Sequence, residues 1–273
     1  MRHLKCCWLI FLVFFLVGAV GAPTALAEQA AGPKWKVTLG GWFANDSSYD
    51  ENPGSQTSGK VWGDFATNWY ALVFEGRLSD RFLFDVGYTR GDIQKNRMYL
   101  HATSSYTEIS GFANKFHGTG YYRLIEDAGS YLDGSLALYY NAANKSFSDK
   151  VTNGVLTNPG EWGDYSINWF GAALGARGRY MLVPVFGFGG KLGVSPYVSN
   201  NTEVTGYGPV MKESANGWGY NGEVSAVWIP GLSGFEVEAG YRYERIYFNE
   251  PSASSFDLDI RYGGPFVEVS YRF

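Results

Sequence analysis

Activating a water molecule takes a titratable base and a neighbour that orients it, and this chain has few candidates for either role. Histidine occurs only at His3, His101 and His117, and the acids that cluster in one polar stretch are Asp46, Asp50 and Glu51. A carboxylate beside an imidazole would polarise water, whereas several carboxylates in register would hold Ca²⁺. The second chemistry needs an Asp-x-Asp-x-Asp-Gly type of spacing, which residues 46–51 lack, so these acids read as solvated loop charge. Ser, His and Asp fall in no convincing triad order, and no lipase-type His and Ser pairing is visible. The sequence therefore points to no catalytic, cofactor-binding or metal-ligating residue.

The N-terminus explains which residues remain to do anything. Arg2 and Lys5 precede an apolar run from Trp8 to Val20, and Ala25-Leu26-Ala27 supplies small residues around a cut. A core of about thirteen residues is right for a signal peptide and too short to span a bilayer. Residues 1–27 are expected to be removed, leaving a single domain over 28–273. Cys6 and Cys7 leave with the signal, so thiol or disulfide chemistry is excluded. The mature chain then carries 20 basic and 26 acidic residues, a net charge of −6 with no basic cluster, which argues against a nucleic-acid partner.

Polar residues alternate with apolar ones along most of the mature chain. Phe82, Phe84, Val86 and Tyr88 share one face and Asp85 the other; Phe186, Phe188, Leu192 and Val194 oppose Lys191. Val224 and Trp228 oppose Glu223, while Val237, Tyr241 and Tyr243 oppose Glu236, Glu238 and Arg242. A period of two marks a strand with one face wet and one apolar. Aromatics make up 18% of the chain and glycine occurs 36 times, yet no mature segment is an apolar run of the roughly 20 residues a membrane helix needs. The reading is all-β: a membrane-spanning, antiparallel up-and-down β-barrel of ten strands.

Connections support it. Polar stretches at 45–63, 91–107, 145–161, 198–216 and 249–255 alternate with short turns at Leu78-Ser79-Asp80, Glu126–Gly129, Pro184 and Pro230–Gly234. Outer-membrane barrels sort long and short connections to opposite sides in this way. In the last strand Phe256, Leu258, Ile260 and Tyr262 are expected outside, with Asp257, Asp259 and Arg261 inside. The face is expected to flip at a bulge over Gly263-Gly264-Pro265. The chain ends Val269-Ser270-Tyr271-Arg272-Phe273, an alternation resembling the C-terminal signature that outer-membrane barrels present to the barrel-assembly machinery.

Asp85, Lys191, Glu223, Glu236, Glu238, Arg242, Asp257, Asp259 and Arg261 are thus expected in the lumen, as an ion-paired plug or as the lining of a narrow conduit. Acid-rich strands eight to ten would favour cations in a conduit. Trp35, Trp69, Trp169, Trp228, Tyr241 and Tyr271 are expected in aromatic girdles at the two interfaces.

Strand count, length and the rhythm of residues 35–91 resemble the omptin class of outer-membrane proteases: Gly41-Trp42 ends a strand, Asn52-Pro53-Gly54 lies in an acidic loop, and Val86-Gly87-Tyr88 closes a hairpin. The resemblance implies a ten-stranded barrel, and for activity an acidic pair facing an Asp-x-His. Asp46 and Asp50 could stand for the acids, though without the one-residue spacing. Tyr99 and Lys115 stand two residues before His101 and His117, and 198–216 holds no histidine. The expectation is a non-enzymatic outer-membrane barrel presenting five extracellular loops. The alternatives are a small porin and an omptin-like protease. Its partners would be outer-membrane lipid and an unspecified extracellular ligand or solute.

Overall fold

The structure, a computed structural model, describes residues 35–273 except 52–60, 101, 128, 206–209, 231–233 and 250–256. Ten strands follow one another: β1 (Trp35–Glu51), β2 (Val61–Arg77), β3 (Phe82–Leu100), β4 (Ala102–Asp127), β5 (Ser130–Thr152), β6 (Val155–Val183), β7 (Phe186–Val204), β8 (Met211–Trp228), β9 (Phe235–Asn249) and β10 (Asp257–Arg272). Each pairs antiparallel with its sequence neighbours, and β10 pairs with β1 to close the barrel. At the seam Trp35 and Phe273 exchange backbone hydrogen bonds of 3.1 and 2.9 Å, and no sheet edge remains along the wall there.

Alternation makes the wall two-sided. Leu39, Leu72, Leu136, Leu174, Leu192, Val224 and Val267 stand exposed on the outside. Rings bound this belt. At the short-turn end lie Trp35, Phe82, Tyr122, Phe186, Trp228 and Tyr271; at the other lie Phe43, Tyr70, Phe116, Phe170, Tyr197 and Trp218. Three hydroxyls at the second ring donate to asparagines on the next strand, Tyr88 to Asn114 at 2.6 Å, Tyr140 to Asn168 at 3.1 Å and Tyr197 to Asn216 at 2.8 Å. An apolar band between aromatic girdles is the surface a bilayer selects.

Three expectations need correction. First, the polar stretches are mostly strand. Residues 145–161 belong to β5 and β6, joined by Asn153-Gly154 with φ of 51° and 79°. Positive φ at both central residues is what a two-residue type I′ hairpin requires, and Asn-Gly supplies it. Likewise β3 runs through Leu100 and β4 starts at Ala102. Beyond the bilayer the outer face of a strand meets water, so its sequence turns polar without ceasing to pair, while Ile93, Ile109 and Phe147 stay buried together.

Second, no bulge occurs at Gly263-Gly264-Pro265. The register against β9 runs unbroken through Tyr262↔Glu244, Gly263↔Tyr243, Gly264↔Arg242 and Pro265↔Tyr241. Ile260 and Tyr262 therefore point inward and are buried, while Asp259 and Arg261 take the outward positions. The hydrophobic pattern inverts because the interior changes character with height, while the parity of the strand is kept. Phe256 and the side chains of Asp257 and Leu258 lie outside the described residues. Third, Trp69 and Trp169 are buried inside the barrel, at 3% and 1% exposure, and form no part of a girdle.

Candidate functional site: a lumen in two halves

In the half nearer the short turns the inward positions are charged. Among the described residues Lys36, Lys115, Arg123, Arg177, Arg179, Lys191, Arg242 and Arg272 face Glu75, Asp85, Asp133, Glu223, Glu236, Glu238, Glu244 and Glu268. Eight positive groups meet eight negative ones. A separate Arg77–Glu126 pair sits at the rim at 3.1 Å.

The pairs form a connected net. Asp133, with no exposed surface, binds Arg123 on β4 and Arg177 on β6, the latter at 2.9 Å. Arg177 reaches across to Glu75 on β2 and lays its guanidinium 3.5 Å from the centre of the Tyr121 ring. Glu236 takes a bidentate pair from Arg179 at 2.6 and 2.7 Å, plus Lys36 at 3.0 Å and Arg272 at 2.9 Å. Glu238 accepts from Ser225 at 2.5 Å. Arg242 ties Glu223 to Glu268 at 2.7 Å each, and Lys191 adds a 3.3 Å contact to Glu223. Lys115 crosses to Glu244 at 2.7 Å. Buried carboxylates and guanidiniums are tolerated when each is paired and hydrogen-bonded in this manner.

His117 lies 3.5 Å from Asp85, and Tyr121 donates to the same carboxylate at 2.5 Å. The imidazole rests on Gly87, where any Cβ would collide with it. Small residues facing large ones are how a narrow barrel accommodates its interior. The side chains of Asp46, Asp50 and Glu51, and the whole of His101, lie outside those residues.

Further up, the inward positions turn apolar. Trp42, Trp69 and Tyr262 pack with ring centroids 5.7–6.1 Å apart. Trp169, Phe248, Phe266, Ile167, Ile246 and Val198 continue this cluster, each no more than 1% exposed. Trp42 also donates to the Gly264 carbonyl at 3.2 Å. The two halves meet at Arg242, whose guanidinium lies 4.6 Å from the Phe266 ring and 5.6 Å from the Trp42 ring.

Of the residues expected in the lumen, Asp85, Lys191, Glu223, Glu236, Glu238 and Arg242 lie there together. Asp259 and Arg261 do not. They sit on the outer wall with Arg245, which pairs with Asp259 at 2.8 Å. Asp259 lies four residues from Gly263 along β10, past the upper girdle. Burial would raise its pKa, but hydrogen bonds from Arg245 and Arg261 outweigh this and hold the carboxyl below its ordinary value. Sequence reasoning missed Arg177, Arg179 and the whole apolar half, whereas the alternation of β9 places Glu244 inward with Glu236, Glu238 and Arg242, where it lies. The signal for the arginines was their odd-numbered parity with Trp169 along β6.

Comparison with known proteins bears on the wall, not on these side chains. The outer membrane protease OmpT from Escherichia coli superposes with a TM-score of 0.69, at 9% identity, over 91% of this chain and 99% of that one. The fold is that of a bacterial outer-membrane β-barrel. The translocator domain of the autotransporter NalP from Neisseria meningitidis is also similar, with a TM-score of 0.43 at 14% identity, over 90% of each chain. No protein-family model matches this outer-membrane barrel, and no curated protein does. At these identities the likeness is one of fold alone.

Proposed function

We propose that this chain is an integral outer-membrane protein, exported by a cleaved signal over 1–27, whose barrel conducts nothing and performs no catalysis. Its short turns would lie in the periplasm, its tall strand extensions outside. There it would serve as a scaffold for surface interaction. Val269, Tyr271 and Phe273, all outward-facing at the seam, would be what the assembly machinery engages.

The observation that carries this reading is the apolar cluster around Trp42, Trp69, Trp169, Phe248 and Phe266, which fills the outer half of the lumen. Ions crossing such a layer would shed most of their hydration, with only scattered polar side chains such as Thr67 and Asn200 in return. The charge balance of the ionic half adds a second reason, since it leaves no net charge to favour ions of one sign. The test is single-channel conductance of the refolded mature protein in planar bilayers, with heat-modifiable gel mobility as proof of folding. Silence is expected. Discrete cation-selective steps that change with Glu238→Gln would establish the small porin instead. Peptide hydrolysis abolished by His101→Ala or Asp46→Asn would establish the omptin-like protease.

A further inference from the structure

The outer wall carries a second ring, just past the upper girdle. Asn45, Asn68, Asn114, Asn168 and Asn216 each stand two residues beyond a girdle side chain on the same outward face, as Asn45 does beyond Phe43 and Asn216 beyond Trp218. On β5 the equivalent is Asn144, the next outward residue after Ala142. Six strands thus end their apolar belt on a carboxamide, while β3, β9 and β10 end theirs on Arg90, Arg245 and Arg261. The short-turn end differs. There the described residues next to the turns include Asp80, Arg81, Glu126 and Asp127, and no asparagine. Charged side chains are the usual complement of a phosphate headgroup layer, so the two edges of one belt are built for different headgroups.

Three of these carboxamides are held in place from below. Tyr88, Tyr140 and Tyr197 donate to Oδ1 of Asn114, Asn168 and Asn216, which fixes each amide and leaves its Nδ2 to donate elsewhere. Asn168 gives one of those hydrogens to Ser166 at 3.5 Å. A carboxamide both donates and accepts, as a hydroxyl does, whereas a phosphodiester offers acceptors only. The match is to a hydroxyl-bearing headgroup. Next to this ring, Arg245 and Arg261 each direct Nε and Nη2 at Asp259, at 2.5–3.0 Å. Two guanidiniums therefore share one carboxylate, which orients both and leaves one positive charge over, with the Arg261 side chain 45% exposed.

We propose that this ring binds the headgroups of a sugar-bearing membrane lipid, the asparagines hydrogen-bonding its hydroxyls and the Arg245–Arg261 pair taking an anionic group on the same headgroup. The apolar belt, continuous with the ring, would hold that lipid's chains. The proposal rests on the membrane residence proposed above and is independent of the sealed lumen. The test is tryptophan fluorescence of the refolded mature protein in vesicles of brominated phosphatidylcholine, whose chains quench exposed rings such as Trp218. Unbrominated digalactosyl, sulfoquinovosyl and phosphatidylcholine lipids of matched chains are then titrated in. Both sugar lipids should relieve quenching at a mole fraction about threefold below phosphatidylcholine, the worth of roughly one net hydrogen bond. The anionic sugar lipid should act at a lower fraction still. Replacing Asn114, Asn168 and Asn216 together by Leu should erase the gap between digalactosyl lipid and phosphatidylcholine with heat-modifiable mobility unchanged. Arg261→Gln should remove only the extra effect of the sulfonate. Equal displacement by all three lipids, or a gap unmoved by the triple replacement, would overturn the proposal. A stronger effect of phosphatidylserine than of either sugar lipid would overturn it in favour of plain charge attraction. Millimolar methyl galactoside that abolished the gap would assign the site to free sugar instead of lipid. Absence of any quenching would refute membrane residence and this proposal together, whereas quenching without sugar preference refutes this one alone.

Discussion

The two halves of the lumen solve one packing problem with opposite chemistry. Near the short turns, side chains fill the interior as neutralised pairs, with Asp133 and Glu236 each holding more than one arginine or lysine. Toward the tall end, Trp169, Ile246 and Phe248 fill it as a hydrocarbon core. The difference lies in how each half responds to damage. A buried ion pair adds little net stability over an apolar replacement, yet losing one partner strands the other. An apolar core degrades in proportion to the volume removed.

The sharpest way to break this contrast is Asp133→Ala, which leaves Arg123 and Arg177 without their shared carboxylate. A loss of about 3–5 kcal/mol is expected from urea unfolding in micelles. Replacing Arg179 and Glu236 together with Met and Leu of similar bulk should be far milder than either change alone; equal damage from single and double replacement would refute the pairing account. In the apolar half Ile246→Val should cost only about 0.5–1.5 kcal/mol, following the methylene removed. Outside both halves, Gly154→Ala should cost about 1 kcal/mol or slightly more, because alanine resists the φ of 79° at the hairpin tip. The smallest effect concerns Asp259 on the outer wall. Its lowered pKa contributes stability that is present above the ordinary carboxylate range and lost as pH falls through the folded value. Acid titration of Asp259→Asn against the parent should therefore converge at low pH, with the parent the more stable at neutral pH.

The barrel was legible because lipid on one side and a polar lumen on the other impose strict alternation, as in Glu236 to Tyr243 of β9. The tall end was not, for two physical reasons. Above the bilayer β5 and β6 lose the apolar face that announces a strand, so their hairpin reads as loop despite Asn153-Gly154. Inside, the lumen becomes apolar at Trp42, Ile246 and Tyr262, so hydrophobicity ceases to report which way a residue points. Only the parity carried up from the charged half would have placed Asp259 and Arg261 outside. The ionic net was half visible: its acids lie on regular strands, whereas Arg177 and Arg179 lie on β6, whose 29 residues blur its alternation.

The net also sorts by distance along the chain. Arg123–Asp133, Lys191–Glu223 and Arg242–Glu268 join adjacent strands and can form as each hairpin zips. Lys115–Glu244, Arg177–Glu75 and Arg179–Glu236 span the lumen, between strands that meet only when the cylinder is complete. An unfinished sheet thus holds arginines and glutamates without their counterparts, and a closed one does not. The transverse pairs therefore tie the far walls of the barrel to one another, a bracing that the ladder hydrogen bonds between neighbouring strands do not supply.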